Sequence, residues 1–269
     1  MDAKLLNFGS ESAHWYSKDG KPMHKVPYAD PSKGMKNTTL RDARKLNLAP
    51  SVSGITGMMP KQGLDKWKTE QAVMAALTLK RGRGESDEEF LKRLAIDAKA
   101  ITTRAADHGT AIHANIERYL KGKSIKDNID GYPVRNATLR FAEYWEAEGF
   151  GLISAESTFC HSLGYGGTVD IRAWKQGEHG KEFILDVKTK DTVEGKEIKP
   201  YKEYGMQLAA YRRGVDAPEG TRLINLFISR NDPEFEVQPY EWEEEAPLLD
   251  LFDACLTFWK AVKGYDSSF

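Results

Sequence analysis

Gly164-Tyr165-Gly166-Gly167-Thr168-Val169-Asp170 and, a little further on, Phe183-Ile184-Leu185-Asp186-Val187-Lys188-Thr189 decide how this chain is read. Each stretch has the character of a strand. The polar segment between them, Lys175 to Lys181 with Gly177 and Gly180, has the character of a hairpin turn. Side chains of a strand alternate between faces, so Phe183, Leu185 and Val187 point one way and Ile184, Asp186 and Lys188 the other. Asp170, ending the neighbouring strand, brings a second carboxylate to the same edge. Two carboxylates held close repel unless a cation lies between them. Hard oxygen ligands of this kind suit Mg²⁺ or Mn²⁺. A lysine beside them suits a reaction in which negative charge grows on a phosphate. An Asp-x-Lys pair alone is common on solvated strands. Here its weight comes from the glycine-rich strand before it, His113 upstream and Gln207 downstream.

Working outward, the strands expected near 152–161, 166–175, 182–189 and 221–230 describe an α/β domain, a central mixed β-sheet flanked by helices on both faces. An edge strand is expected over 234–240. Upstream, Ser86-Asp87-Glu88-Glu89 is a capping-box pattern that opens a long helix towards Leu120. Gly109 lies inside it, where a break or a close backbone approach is expected. His113 and Glu117 then share one helical face. A helix over about 63–81 precedes it, and another runs from Pro133 towards Gly149. The helix over about 202–214 places Gln207, Ala210 and Tyr211 on one face, and a last amphipathic helix covers about 243–262. The polar, basic segment 189–199 reads as a loop over the site, with Lys190 and Lys196 able to touch a phosphate backbone. Arg104 is a second candidate for a phosphate contact, against the plainer reading of an exposed helix arginine.

Residues 1–48 show no sustained periodicity beyond a short helix near Leu40–Leu46. They read as an N-terminal arm, basic toward its end, that either contacts nucleic acid or straps the core; residues 49–269 form the main domain. The chain has 269 residues, 40% hydrophobic and 29% charged, as in an ordinary globular protein with ample core. Its net charge of −1 is unevenly spread. Lys33 to Arg83 holds eleven Lys or Arg against three acids, whereas Glu241 onward holds seven acids against Lys260 and Lys263. Such a division suits one polyanion-facing side. No apolar run approaches the length of a membrane span, and Met1 to Leu6 opens no signal-peptide core. The two cysteines, Cys160 and Cys255, have no metal-site spacing. A reducing cytoplasm (the host's, for a phage protein) is the expected location.

Taken in order, Gly109-Thr110-Ala111-Ile112-His113, Gly167-Thr168-Val169-Asp170, Asp186-Val187-Lys188 and Gln207-Leu208-Ala209-Ala210-Tyr211 resemble the motifs of the PD-(D/E)XK nuclease superfamily, in its RecB-like and phage-exonuclease branch. The resemblance covers roughly residues 50–230. Val169 stands where the name-giving proline would be, a common variation. The two cysteines are too few for the iron–sulfur cluster of some relatives.

The resemblance implies a restriction-endonuclease-like core and a Mg²⁺- or Mn²⁺-dependent deoxyribonuclease, exonucleolytic first, serving recombination, repair or DNA processing in a phage setting. Asp170 and Asp186 would hold one or two ions, with His113 and the Val187 carbonyl as further ligands. Glu156, where relatives often carry a glutamate, would be a third carboxylate or else pair with an arginine such as Arg172. Lys188 would orient or deprotonate water, and Gln207 and Tyr211 would hold substrate, water or the lysine. Ser51, Ser53 and Thr56 match small hydroxyl residues that lie near DNA in relatives, against a capping role. DNA is the implied partner, with a homo-oligomer or a recombination protein beside it. The rivals are a structure-specific endonuclease on the same core and an inactive DNA-binding module.

Overall fold

The computed structural model describes residues 14–60 and 62–269; the first thirteen residues of the N-terminal arm lie outside that range. From residue 14 the arm is a strap. β1 (Trp15–Tyr16) leads to the hairpin of β2 (Lys25–Pro27) and β3 (Met35–Asn37), then to α1 (Leu40–Leu46) and β4 (Ala49–Pro50), which pairs back on β1. Thr39 and Asp42 form a capping box at the start of α1, and Asn47 ends it in the left-handed conformation. Trp15 and Tyr16 are each 3% exposed, and Trp15 Nε1 donates to the Thr38 carbonyl at 3.1 Å. The described arm is therefore anchored in the core.

A short α2 (Val52–Thr56) is followed by two long helices, α3 (Gln62–Thr78) and α4 (Asp87–Leu120), packed against each other as a hairpin. The Ser86–Glu89 capping box opens α4 as its residues dictate. All 34 residues of α4 are helical, so Gly109 causes no break. The small pair β5 (Asn128–Ile129) and β6 (Tyr132–Pro133) and helix α5 (Arg135–Ala147) lead into the sheet.

The sheet comprises β7 (Phe150–His161), β8 (Tyr165–Lys175), β9 (Phe183–Lys190), β10 (Arg222–Ser229) and β11 (Gln238–Trp242), in the order β11-β10-β9-β8-β7. Helix α6 (Lys202–Gly214) makes the crossover between the parallel neighbours β9 and β10, and the other three pairings are antiparallel. The final helix is α7 (Glu245–Lys263). This is a mixed α/β fold with helices on both faces. On one face Phe183, Leu185 and Val187 pack with Ile112 and Ile116 of α4 and Phe141 and Trp145 of α5. On the other, Val169, Ile184 and Leu223 pack with Leu208 of α6 and with Phe252 and Trp259 of α7. The alternation of β9 thus sorts its side chains between two cores. β10, interior to the sheet between β9 and β11 and buried along nearly its whole length, is nearly continuous in apolar residues, as a strand covered on both faces must be. Among the described residues no helix is long and apolar enough to cross a membrane.

Candidate active site

The site forms where β8 and β9 part. Their ladder has three pairs, Ala173↔Phe183, Arg172↔Ile184 and Ile171↔Leu185, and stops one position short of Asp170 and Asp186. In place of a next backbone bond, the Val187 N–H donates to Asp170 Oδ2 at 3.0 Å. On the far side of β8, Glu156 falls in register opposite Asp170, between the pairs Ala155↔Ile171 and Ser157↔Val169. Glu156 has φ +56°, just past an irregularity in β7 between Leu152 and Ser154. A left-handed residue in a strand is uncommon and re-aims its side chain. Three acids on three adjacent strands therefore stand at one level of the sheet.

Asp186 is 2% exposed. The Lys188 ammonium bonds both its oxygens, at 3.0 Å and 2.7 Å, and Asn225 Nδ2 donates to it at 2.8 Å. Burial raises its pKa, against the opposing pull of Lys188 and with the help of the Asp170 charge. Lys188 also donates to Gln207 Oε1 at 3.0 Å, and Gln207 Nε2 donates to the Tyr211 hydroxyl at 2.6 Å. The predicted face of α6 thus holds the lysine. Burial, with the charges of Asp186 and Asp170, keeps the Tyr211 hydroxyl protonated well beyond its ordinary range.

Helix α4 closes the site from the other side, with His113 Nδ1 3.4 Å from Asp170 Oδ2. Gly109 is what lets it approach. A Cβ added there would lie 2.6 Å from Thr189 Oγ1 of β9. The glycines of β8 do the same for other neighbours. A Cβ at Gly166 would meet Tyr16 at 2.7 Å, and one at Gly167 would meet Tyr211 and Phe159 at 2.8 Å. His113, Glu156, Asp170, Val187 and Lys188 all line an open cleft of about 640 Å³. Glu156 is exposed along its wall, yet enough protein surrounds the carboxyl that desolvation, then repulsion from Asp170 and Glu117, pushes its pKa up to about 7.

Among the described residues no group of three or more His, Cys, Asp or Glu side chains is gathered as a ready-made metal cluster. The donor chemistry nonetheless fits a hard divalent cation. Asp170 and Glu156 offer carboxylate oxygens to the cleft and His113 an imidazole, while Asp186 is held with its charge set against a movable ammonium.

Several expected contacts fall elsewhere. Ser51 and Thr56 are buried, 3% and 4% exposed, and Ser51 Oγ caps α2 by accepting from the Gly54 N–H at 3.0 Å. For Ser51 this is the capping role; Thr56, the last residue of α2, turns its hydroxyl back to the Ser53 carbonyl at 3.5 Å. Ser53 is exposed but lines no part of the cleft. Arg104 is exposed on α4, off the helix face that Ala105, Gly109 and His113 turn to the cleft. Lys196 sits on an exposed turn at Gly195, also away from the lining. Thr189 and Lys190 belong to β9, so the loop begins only after them. Arg172 pairs with Glu182, at 2.5 and 3.1 Å, and not with Glu156.

Two residues of the site escaped sequence reasoning. Asn225 is fully buried in the run Leu223-Ile224-Asn225-Leu226-Phe227 and accepts from Trp242 Nε1 at 2.8 Å, which orients its amide toward Asp186. One polar residue inside a buried apolar strand was the available signal. Arg230, held by the Ala105 carbonyl and Asp191 at 3.0 Å each, also lines the cleft; no local pattern marks it.

No protein-family model and no curated sequence matches this chain. Among solved structures, one titled "Crystal structure of SSO0001" aligns at 17% identity over 46% of this chain and 60% of that one, with a TM-score of 0.28. The alignment spans less than two thirds of that protein.

Proposed function

We propose that this protein is a metal-dependent nuclease that hydrolyses phosphodiester bonds of DNA from an end, built on a restriction-endonuclease-like core. The observation that carries the reading is the chain Asp186–Lys188–Gln207–Tyr211, each member bonded to the next, opening onto a cleft shared with Asp170, Glu156 and His113. An ammonium fixed between a carboxylate and a cleft is suited to meet the charge that develops on a phosphate. The residues that would hold one or two Mg²⁺ or Mn²⁺ ions are Asp170, Asp186, His113, Glu156 and the Val187 carbonyl. A divalent ion in such a site lowers the pKa of a bound water and polarises a phosphoryl oxygen. Lys188, steadied by Gln207, orients the attacking water. Asn225 and Trp242 keep Asp186 from turning away.

The deciding experiment incubates end-labelled linear DNA and a covalently closed circle with the protein in Mg²⁺, in Mn²⁺ and in EDTA. Stepwise loss of label from the linear DNA, an intact circle and silence in EDTA are the expected results. A nicked or linearised circle assigns the same core to an endonuclease. DNA left whole in both metals makes the protein a binding module and ends the proposal.

A further inference from the structure

Beside the acidic cleft lies a second trough of about 780 Å³, within the range of small-ligand sites. Ala105, Ala106, Thr189 and Arg230 line both, so the two are neighbours that share a wall. The walls differ in chemistry. Where the cleft gathers carboxylates, the trough is aromatic, lined by Trp67 of α3 and by Tyr201 and Tyr204. Lys68 and Lys190 lie beside the rings, and the acids Asp191 and Glu203 are also on its wall. Tyr201 is 38% exposed, so part of its ring still faces the trough. Its ring packs edge to face on Tyr204 at 5.5 Å, and the Lys190 ammonium lies 4.6 Å from its centroid. The width is set by Gly63, where an added Cβ would fall 2.2 Å from the Tyr201 hydroxyl. Rings interleaved with lysines are the means by which proteins hold single-stranded nucleic acid, because every base has a face to stack and every phosphate a charge to meet. A paired duplex hides those faces.

We propose that this trough stacks an unpaired base of the substrate strand, so that the strand entering the acidic cleft is single-stranded at that point. The inference rests on the nuclease reading for its direction, but the trough can be tested without cleavage. A fluorescently labelled oligothymidylate and a blunt duplex are titrated with the full chain in EDTA, followed by anisotropy. The wild type binds the single strand more tightly than the duplex. Trp67→Ala and Tyr201→Ala, which lie on different elements, each weaken single-strand binding about tenfold, the scale of one lost stack, and leave duplex binding unchanged. Trp67→Phe restores the affinity. The proposal is overturned if neither alanine variant changes single-strand affinity, if both lose single strand and duplex equally, or if the wild type binds no single strand. The same variants in Mg²⁺ separate the two readings. Selective loss of binding with DNA left whole keeps the trough and removes the nuclease. Single-strand digestion unchanged in both alanine variants keeps the nuclease and removes the trough.

Discussion

The two ends of the β8–β9 pair carry the same kind of feature, an acid bonded to a base, and use it in opposite ways. At the closed end Arg172 grips Glu182 with two bonds, and Glu182 is 9% exposed and lines no part of the acidic cleft. At the open end Lys188 grips Asp186 with two bonds, but the strands have already separated and the lysine faces a cleft. An arginine fork matches a carboxylate geometrically and fixes it. A lysine is a point charge on a flexible stem that can exchange partners. The difference lies less in the ion pair than in whether the backbone ladder continues past it. A ladder that stops leaves polar groups seeking partners, and at the open end side chains and a cleft supply them.

Breaking each pair in turn tests this contrast. The largest effect is expected from Lys188→Ala and Asp186→Asn, which should lower the cleavage rate at least about a hundredfold, the scale of losing one group that stabilises transition-state charge. Both should keep the native circular dichroism spectrum. Full activity in Lys188→Ala would undo the proposed role. Gln207→Ala should cost less, about tenfold in kcat with little change in KM, because it releases the lysine without removing it. Arg172→Ala should do the reverse. It leaves Glu182 buried without its partner and should cost about 2 kcal/mol in urea unfolding, with cleavage by the remaining folded protein unchanged.

Gly109→Ala should push α4 off β9 and destabilise the fold by about 1–3 kcal/mol through overpacking. Adding Thr189→Ala should recover most of this loss, since the Thr189 hydroxyl is what the new methyl meets. Two substitutions whose costs simply add would show that the close approach does not matter.

The smallest effect concerns Glu156, whose pKa is raised from 4.5 to about 7 in the folded protein. The folded state holds that proton more tightly than the unfolded chain. The resulting stability is present in full below pH 4.5 and is lost as pH rises through about 7. Glu156→Gln should flatten the stability profile across that window, measured as urea midpoints on either side of it. A profile as steep as the wild type's would place the titration elsewhere.

Much was legible in the residues alone, and for local reasons. The alternation over Phe183–Lys188 sorts side chains between two faces, Ser86 and Glu89 cap a helix within four residues, and Gln207 and Tyr211 share a helical face through their spacing. Each of these is set by neighbours a turn or a pleat away, so the periodicity of the backbone carries the information. The extents of α1, α4 and α6 follow from such signals. The two- and three-residue strands β1 to β6 were not legible, because so few residues show no period.

What only the tertiary structure decided are the pairings across long separations. Arg172 could answer Glu156 or Glu182 by charge alone, and the register of the hairpin chose Glu182. Ser51 could cap or face outward, and the strap decided between the two, with the Ser51 N–H donating to the His14 carbonyl at 3.1 Å where β4 pairs back on β1. Asn225 reaches Asp186 across 39 positions because β9 and β10 run parallel in register, and the Asp170 carboxylate caps Val187 because the ladder ends there. Sequence spacing is silent about such partners, since they are set by how sheets and helices close on one another and by no repeat within the chain.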